Sequence, residues 1–458
     1  MTLPVPLESL AEWSACCGTL RCGERVLDVI CDVSVAPDGT IGLAFNDVPM
    51  TEETWEFYAD WLQHRGQTVP RYQLDLRDAQ GHHHLLTDHA ILSSVGHSST
   101  SGSSVVQLEG EAARMSVTYT GPAVPGTGGE TRLARYRTVG LRGLLAESAD
   151  FDVGRVTLHG VREVSDHRHL AGALQVKHPG DDGESLEAWL TRCDERAQDI
   201  LRMVSLGAGR MVSWSARETY LGGTLHHLEL RGRRHSGPPF DPLFDHLELG
   251  RALQLAARHY SRELASRTGL DVAVDWYVMP HSYSEARFMA SMTALEHLVS
   301  KHATAAGAVL PWKVYRVARS AMESALKSQE MRQELADALR AHGVSDDKVE
   351  STVSSALAQL EANLGKPNGR SFRDSIVRLL SDYSVRHDDI TPAVAALVKV
   401  RNDIAHRGLR QDGEDQVPFR RVVSALRELL RRLFVSILEY EGEYTSHLDG
   451  PERRNFSR

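Results

Sequence analysis

The feature that most constrains this chain is a change in hydrophobic period along it. From Cys22 to about Val212, apolar residues come in short alternating runs: RVLDVICDVSV before PDGT, RYQLDLRD before AQG, SVVQLEG, RMSVTYTG, GRVTLHGV, and ALQVKH before PGDDG. A period of two buries one face of a strand, and turn residues between such runs predict a sandwich or barrel-like β module. From Glu285 onward the apolar spacing becomes helical, through EARFMASMTALEHLVSKH, PWKVYRVARSAMESAL, DKVESTVSSALAQLEANL, SFRDSIVRLLSDY, PAVAALVKVRNDIAH and FRRVVSALRELLRRLFVSILEYE, which predicts a helical bundle. The expected fold class is therefore α+β: a β-rich N-terminal module over residues 1–280, a helical domain over 281–445 and a flexible tail over 446–458.

Helices interrupt the β module. Trp55, Tyr58, Ala59 and Leu62 repeat at helical spacing and predict a helix over 52–64. Leu186, Trp189, Leu190, Ala197, Ile200, Leu201 and Val204 predict a second one from Ser185. The Gly207-Ala-Gly209 that follows is read as a helix C-cap and turn, because a helix precedes it and a strand-like run follows, the reverse of a dinucleotide-binding order. A further helix is expected from about Asp245 to Arg267. The stretches VGHSSTSGSSV and GPAVPGTGGET read as flexible loops.

The 458-residue length and 41% apolar content allow two or three sizeable cores. A net charge of −9 excludes a protein coated in positive charge, so contact with nucleic acid must come from a local patch. The start, MTLPVPLESLAEW, lacks the pattern of a signal peptide, and no run approaches the ~20 apolar residues of a membrane span. A cytoplasmic protein with no membrane contact is expected. The five cysteines, Cys16, Cys17, Cys22, Cys31 and Cys193, do not suit a disulfide framework, and Cys16, Cys17 and Cys22, which lack a matching pair at zinc-finger spacing, are read as buried or idle thiols. His82, His83 and His84, with His89 and His97, occupy a turn and adjacent strand and are read as solvated side chains rather than metal ligands.

One helix concentrates chemistry. It is expected to start at Thr391-Pro392, a cap followed by proline at the first position, and to end at Gly408. Val394, Leu397, Val398, Ile404 and Ala405 form its apolar stripe, and Arg401 falls within that stripe, aimed at the core. Asn402 and His406, four apart, sit together at the border. A buried arginine is costly unless paired. On the helix carrying Phe288, Met289, Met292, Leu295 and Val299, Glu296 flanks the core stripe and is the expected partner. Phosphodiester transfer from an RNA 2′-hydroxyl needs a group titrating near neutral pH, which an imidazole supplies at ~6.5. It also needs donors for charge on the phosphorane: the guanidinium of Arg401 fits that role, and the amide of Asn402 fixes the phosphate or the histidine tautomer. That chemistry requires no metal or other cofactor.

The string Arg401-Asn402-Asp403-Ile404-Ala405-His406, late in an all-α region, resembles the R-polar-xxx-H signature of HEPN ribonucleases. EARFMASMTALEHLV upstream resembles the first helix of the ApeA-like branch of bacterial anti-phage defence, and DILRMVSLGAGRMVSW is similar to the N-terminal region of such proteins. The resemblance implies a HEPN domain in a bacterial protein, a homodimer whose two motif helices share a cleft, and metal-independent cleavage of tRNA or other structured RNA leaving a cyclic phosphate. It also implies toxicity that aborts phage growth, with a phage-derived trigger acting on the N-terminal module. Arg401, Asn402 and His406 are then the catalytic set and Glu296 its support.

Arg followed five residues later by His occurs three times, at Arg77/His82, Arg162/His167 and Arg401/His406, and only the last pair is expected on one helix. Arg407 and Arg410 are candidate RNA contacts. With Arg420, Arg421, Arg427, Arg431 and Arg432 they make either a basic rim for the RNA backbone or the solvated face of a long helix from Phe419 to Tyr440. Trp312 and Tyr315 are expected in the core. The rival to catalysis is a structural Arg401–Glu296 salt bridge in an inactive RNA-binding or protein-docking scaffold.

Overall fold

The computed structural model describes residues 12–36, 39–46, 48–64, 71–100, 103–119, 131–141, 147–160, 170–179, 183–231, 241–245, 248–281, 283–306, 312–363, 372–407 and 418–456. The N-terminal part comprises β1 (Glu12–Cys22), β2 (Arg25–Val35), β3 (Ile41–Phe45), β4 (Val48–Pro49), α1 (Glu52–His64), β5 (Tyr72–Arg77), β6 (His83–Thr100), β7 (Ser103–Ala112) and β8 (Arg114–Tyr119). All pairings are antiparallel. Six strands close a barrel in the order β6-β5-β1-β2-β3-β7, with β7 returning to β6. Closure depends on the 18-residue length of β6. Its first half pairs with β5 and β8, and a register shift between Leu92 and Ser94 lies within the stretch that pairs with β7. The alternation read from RVLDVICDVSV appears as an inward row of Leu27, Val29, Cys31, Val33 and Val35. Helix α1 spans the residues expected, but its buried side chains are Thr54 and Phe57, and Trp55 is 55% exposed. The phenylalanine, two residues from the tryptophan, lies on the face that meets the barrel. Leu62 lies outside the described side chains.

From β8 the sheet continues open, through β9 (Arg132–Val139), β10 (Glu147–Phe151), β11 (Gly154–Gly160) and β12 (Leu170–His178), then α2 (Leu186–Ala208), β13 (Ser213–Leu221) and β14 (Thr224–Arg231). The spatial order is β8-β14-β13-β9-β12-β11-β10. Gly222 and Gly223, at φ +55° and +88°, make the two-residue turn between β13 and β14, where most side chains are excluded. Helix α2 covers one face of this sheet, packing Trp189, Ile200 and Val204 with Tyr136, Val156 and Leu174. It ends at Gly209, which is left-handed at φ 63° and donates to Leu206 and Ser205 carbonyls, the cap expected from Gly207-Ala-Gly209.

The helical part follows: α3 (Gly250–Arg258), α4 (Arg262–Thr268), α5 (Leu270–Val278), α6 (Ser284–Ala306), α7 (Trp312–Leu326), α8 (Gln329–Ala341), α9 (Asp346–Asn363), α10 (Phe372–Asp382), α11 (Thr391–Arg407) and α12 (Phe419–Ile437). The helix expected over 245–267 is two helices, because Ser261 caps a fresh start by accepting from the Leu264 N–H at 3.1 Å. The boundary expected near residue 280 is not a break in the core. One cluster runs from Tyr136 and Trp189 through Leu270 and Tyr277 to Phe288, Leu295, Leu397 and Leu430. The expected flexible tail is instead a hairpin, β15 (Gly442–Ser446) and β16 (Glu452–Phe456), anchored by buried Tyr444 and Leu448. Helix α12 stops at Ile437, short of Tyr440, so that Tyr444 can turn back onto it. Among the described residues no helix is long and apolar enough to cross a membrane.

Candidate active site

Helix α11 buries Ala393, Leu397, Val400 and Ile404, a stripe at three- and four-residue spacing. This stripe is rotated from the expected one: Ala405 is exposed, and Arg401 lies at the stripe's edge rather than within it. The cause is Val400, which competes with Arg401 for the core-facing position and wins on hydrophobicity. Thr391 does not cap the helix either. Its hydroxyl donates to the His387 carbonyl at 2.9 Å, because a 3₁₀ turn over Asp388–Ile390 leads directly into α11. Gly408, the expected C-terminal stop, lies outside the described residues.

Helix α6 presents Phe288, Met292, Leu295 and Val299 to the core, with Met289 half-buried. Glu296, one position beyond Leu295, emerges at the flank. The Nε of Arg401 donates to Glu296 Oε1 at 3.1 Å, joining residues 105 apart in sequence. The side chains are 40% and 37% exposed respectively, so this is a pair at the border of the core, not within it. Arg401 Nη1 donates to Asn402 Oδ1 at 3.2 Å. The relay has a consequence for the free donors: with Oδ1 accepting from Arg401, Asn402 has its N–H₂ hydrogens to offer, and Arg401 Nη2 has no hydrogen bond to a described residue. Both donor sets border the exposed face of α11, a geometry suited to an anion with several oxygens. His406 belongs to α11 and stands one turn beyond Asn402, on the same face by helical period. The side chains of His406 and Arg407, and all of Arg410, lie outside the described residues.

The basic residues of α12 depart furthest from expectation. Arg427, Arg431 and Arg432 are buried and make neither a rim nor a solvated face. Arg431 and Glu428, both fully buried, pair at 2.8 Å, and Arg432 reaches Glu428 at 3.0 Å. Arg432 also grips Asp389 through two 2.7 Å bonds. Arg427 donates to Asp241 at 2.9 Å and lies 4.0 Å from the centroid of Tyr277. Tyr444 of the hairpin donates to Glu428 at 2.8 Å. Burial pushes the Glu428 carboxyl up, but Arg431 and Arg432 outweigh it and hold the group below the usual range. The hydrogen bond from Arg432 holds Asp389 at about 2. The signal for this burial was present in α12: Val422, Val423, Ala425, Leu426, Leu429, Leu430, Leu433 and Phe434 leave no polar side wide enough for solvent. Of the arginines on this helix, Arg420 and Arg421 are exposed.

Tyr315 is buried, as expected, whereas the side chain of Trp312 lies outside the described set. Cys16, Cys31 and Cys193 are buried, Cys17 is exposed and Cys22 is half-buried. Burial, reinforced by Asp78, pushes the Cys16 thiol up to about 11, so it is protonated near neutral pH. His82 is exposed, and His83 and His84, each about a quarter exposed, meet Asp78 at 2.5 Å and Asp75 at 2.8 Å. The side chains of His89 and His97 are outside the described set. Among the described residues no three His, Cys, Asp or Glu side chains cluster as a metal site. Arg77 ends β5 while His82 lies in the following turn, and the Arg162/His167 pair lies outside the described residues. Comparison with protein-family models, with curated proteins and with solved structures finds no match for this chain.

Proposed function

We propose that α11 carries the active site of a metal-independent endoribonuclease of the HEPN type. The observation that supports it is the Glu296–Arg401–Asn402 relay, which holds a guanidinium and an amide side by side on the helix that also bears His406. Arg401 takes charge from the phosphorane, Asn402 positions a phosphate oxygen, His406 moves the proton between the 2′-hydroxyl and the leaving 5′-oxygen, and Glu296 positions Arg401. Asn402 is exposed on the side of α11 turned from its own core, which leaves that face available for a homodimer sharing one cleft. In this reading the protein is a bacterial cytoplasmic effector of abortive infection, cutting tRNA or another structured RNA once a phage-derived trigger acts on the β-rich part.

The test is incubation of the purified protein and its His406→Ala variant with total tRNA in EDTA, with mapping of the ends. Cleavage by the wild type alone, leaving 2′,3′-cyclic phosphates, is the expected result. If neither protein cleaves, with or without extract from infected cells, the second reading takes over: a helical scaffold that docks RNA or protein through the same exposed face and does no chemistry.

A further inference from the structure

The strand register across the open sheet traces a row in which side-chain chemistry changes abruptly. Leu85, Val117 and Leu228, on β6, β8 and β14, stand in register within the apolar cluster that fills the barrel. The same row continues as Glu218, Arg135, Gln175, Thr157 and Ser148 on β13, β9, β12, β11 and β10. The row on one side reads Tyr220, Leu133, Lys177, Arg155 and Asp150, and the row on the other includes Ala216, Arg137, Ala173 and His159. The opposite face of these strands carries Ala134, Tyr136, Val156, Leu158, Leu174 and Val176 and is covered by α2. The polar face is thus a separate surface with its own composition.

Three features distinguish it from an ordinary solvated sheet face. Glu218 is fully buried and Arg137 is 5% exposed, so charges are built into the floor rather than left in water. Glu218 is consumed by its neighbours, accepting from Arg137 Nε at 2.8 Å, Tyr220 Oη at 2.9 Å and Arg135 Nη1 at 3.3 Å. Arg135 keeps a buried Nε with no hydrogen-bond partner, and its guanidinium lies 5.3 Å from the Tyr220 ring centroid. Lys177 and Arg155, both exposed, stand directly opposite each other, an arrangement that repels and that, among the described residues of this row, Asp150 beyond Arg155 offsets. Among the described residues of these rows, four cations stand against two carboxylates, a positive balance on a chain whose net charge is −9. Five adjacent strands spread these groups over about 20 Å, an open platform rather than a pocket.

We propose that this face binds a single strand of nucleic acid, with phosphates on Arg135, Arg155 and Lys177 and a base against Tyr220. Backbone charge neutralisation combined with an aromatic platform is how sheets hold unpaired strands, and such a surface is too wide for a mononucleotide. Burial, then Glu218, pushes the Tyr220 hydroxyl up, so the ring stays neutral and hydrogen-bonded in place. The inference goes beyond the ribonuclease reading and does not rest on it.

The experiment uses the full chain carrying His406→Ala, so that nothing is cut, and a fluorescein-labelled 12-nucleotide oligouridylate. Arg155→Glu with Lys177→Glu alters only exposed side chains, and circular dichroism checks the fold. The expected result is at least a tenfold loss of affinity and a salt slope shallower by roughly 1.4 for two charges removed. Arg155→Lys with Lys177→Arg should bind like the parent. Ultraviolet crosslinking of a 4-thiouridine oligonucleotide should mark the peptide containing Tyr220. Unchanged affinity in the charge-reversed variant, absence of binding by the parent, crosslinks confined to residues 391–407, or equal competition by a polyglutamate 12-mer would each overturn the proposal. Cleavage by the α11 site is scored separately in the tRNA assay, so either idea can fail alone.

Discussion

Glu296 and Arg401, on helices separated by 105 residues of chain, meet through a single 3.1 Å bond at the edge of the core, where both remain more than a third exposed. A pair in that position contributes about 0–1 kcal/mol to stability, so its value lies in where it holds the guanidinium. Two helices that contact each other, with Leu295 and Leu397 in one core, thereby present one oriented cation beside Asn402.

Under the ribonuclease reading, Glu296→Ala should lower kcat for RNA cleavage roughly 10- to 100-fold through a misplaced Arg401 while moving KM little. Glu296→Gln, which can still accept from Arg401 Nε, should recover most of the rate. Urea unfolding of both variants should stay within about 1 kcal/mol of wild type. A stability loss that tracked the loss of rate would show the pair to be structural.

Glu428 tests the buried network. Replacement by Ala takes from Arg431 its carboxylate partner, leaving it the Asp241 carbonyl at 3.3 Å, and removes one partner of Arg432, at an expected cost of about 3–5 kcal/mol. Glu428→Leu combined with Arg431→Met removes both fully buried charges and should regain most of that loss, since Arg432 keeps Asp389. Denaturant midpoints of the single and double variants decide it.

Asp389 predicts a pH dependence. Its folded-state value of about 2 lies below the ~3.9 of an unfolded aspartate, so its contribution is full above the unfolded value and is lost as pH falls from about 4 to about 2. Urea midpoints measured between pH 6 and 2.5 should therefore fall less steeply below pH 4 in Asp389→Asn than in wild type. Parallel curves would remove Asp389 from the account of acid stability.

Helix α1 offers a contrast between adjacent aromatics. Phe57→Ala empties a buried site and should cost about 3–5 kcal/mol, whereas Trp55→Ala should change stability by about 0.5 kcal/mol or less. Thermal unfolding of the two variants separates them, and a large loss at Trp55 would mean that α1 sits rotated.

The α+β class, the β-rich start, the span of α1, the Gly209 cap and the Glu296–Arg401 partnership were legible in the sequence alone. The first four follow from local period and turn chemistry; the partnership follows from reading Arg401 as buried, and it forms although the Arg401 side chain is 40% exposed. What only the tertiary structure decided was which face of each element is buried. A one-position rotation of α11 moved Arg401 from the core to its rim and exposed Ala405, with Val400 taking the buried position. The arginines of α12 looked like a surface because charge normally seeks water. Their partners Asp241, Asp389 and Tyr444 lie far away in the chain, and only folding brings them close enough to make burial of those charges tolerable. Barrel closure belongs to the same class of fact, since β6 reveals its two sets of neighbours only when β7 and β8 have both returned to it.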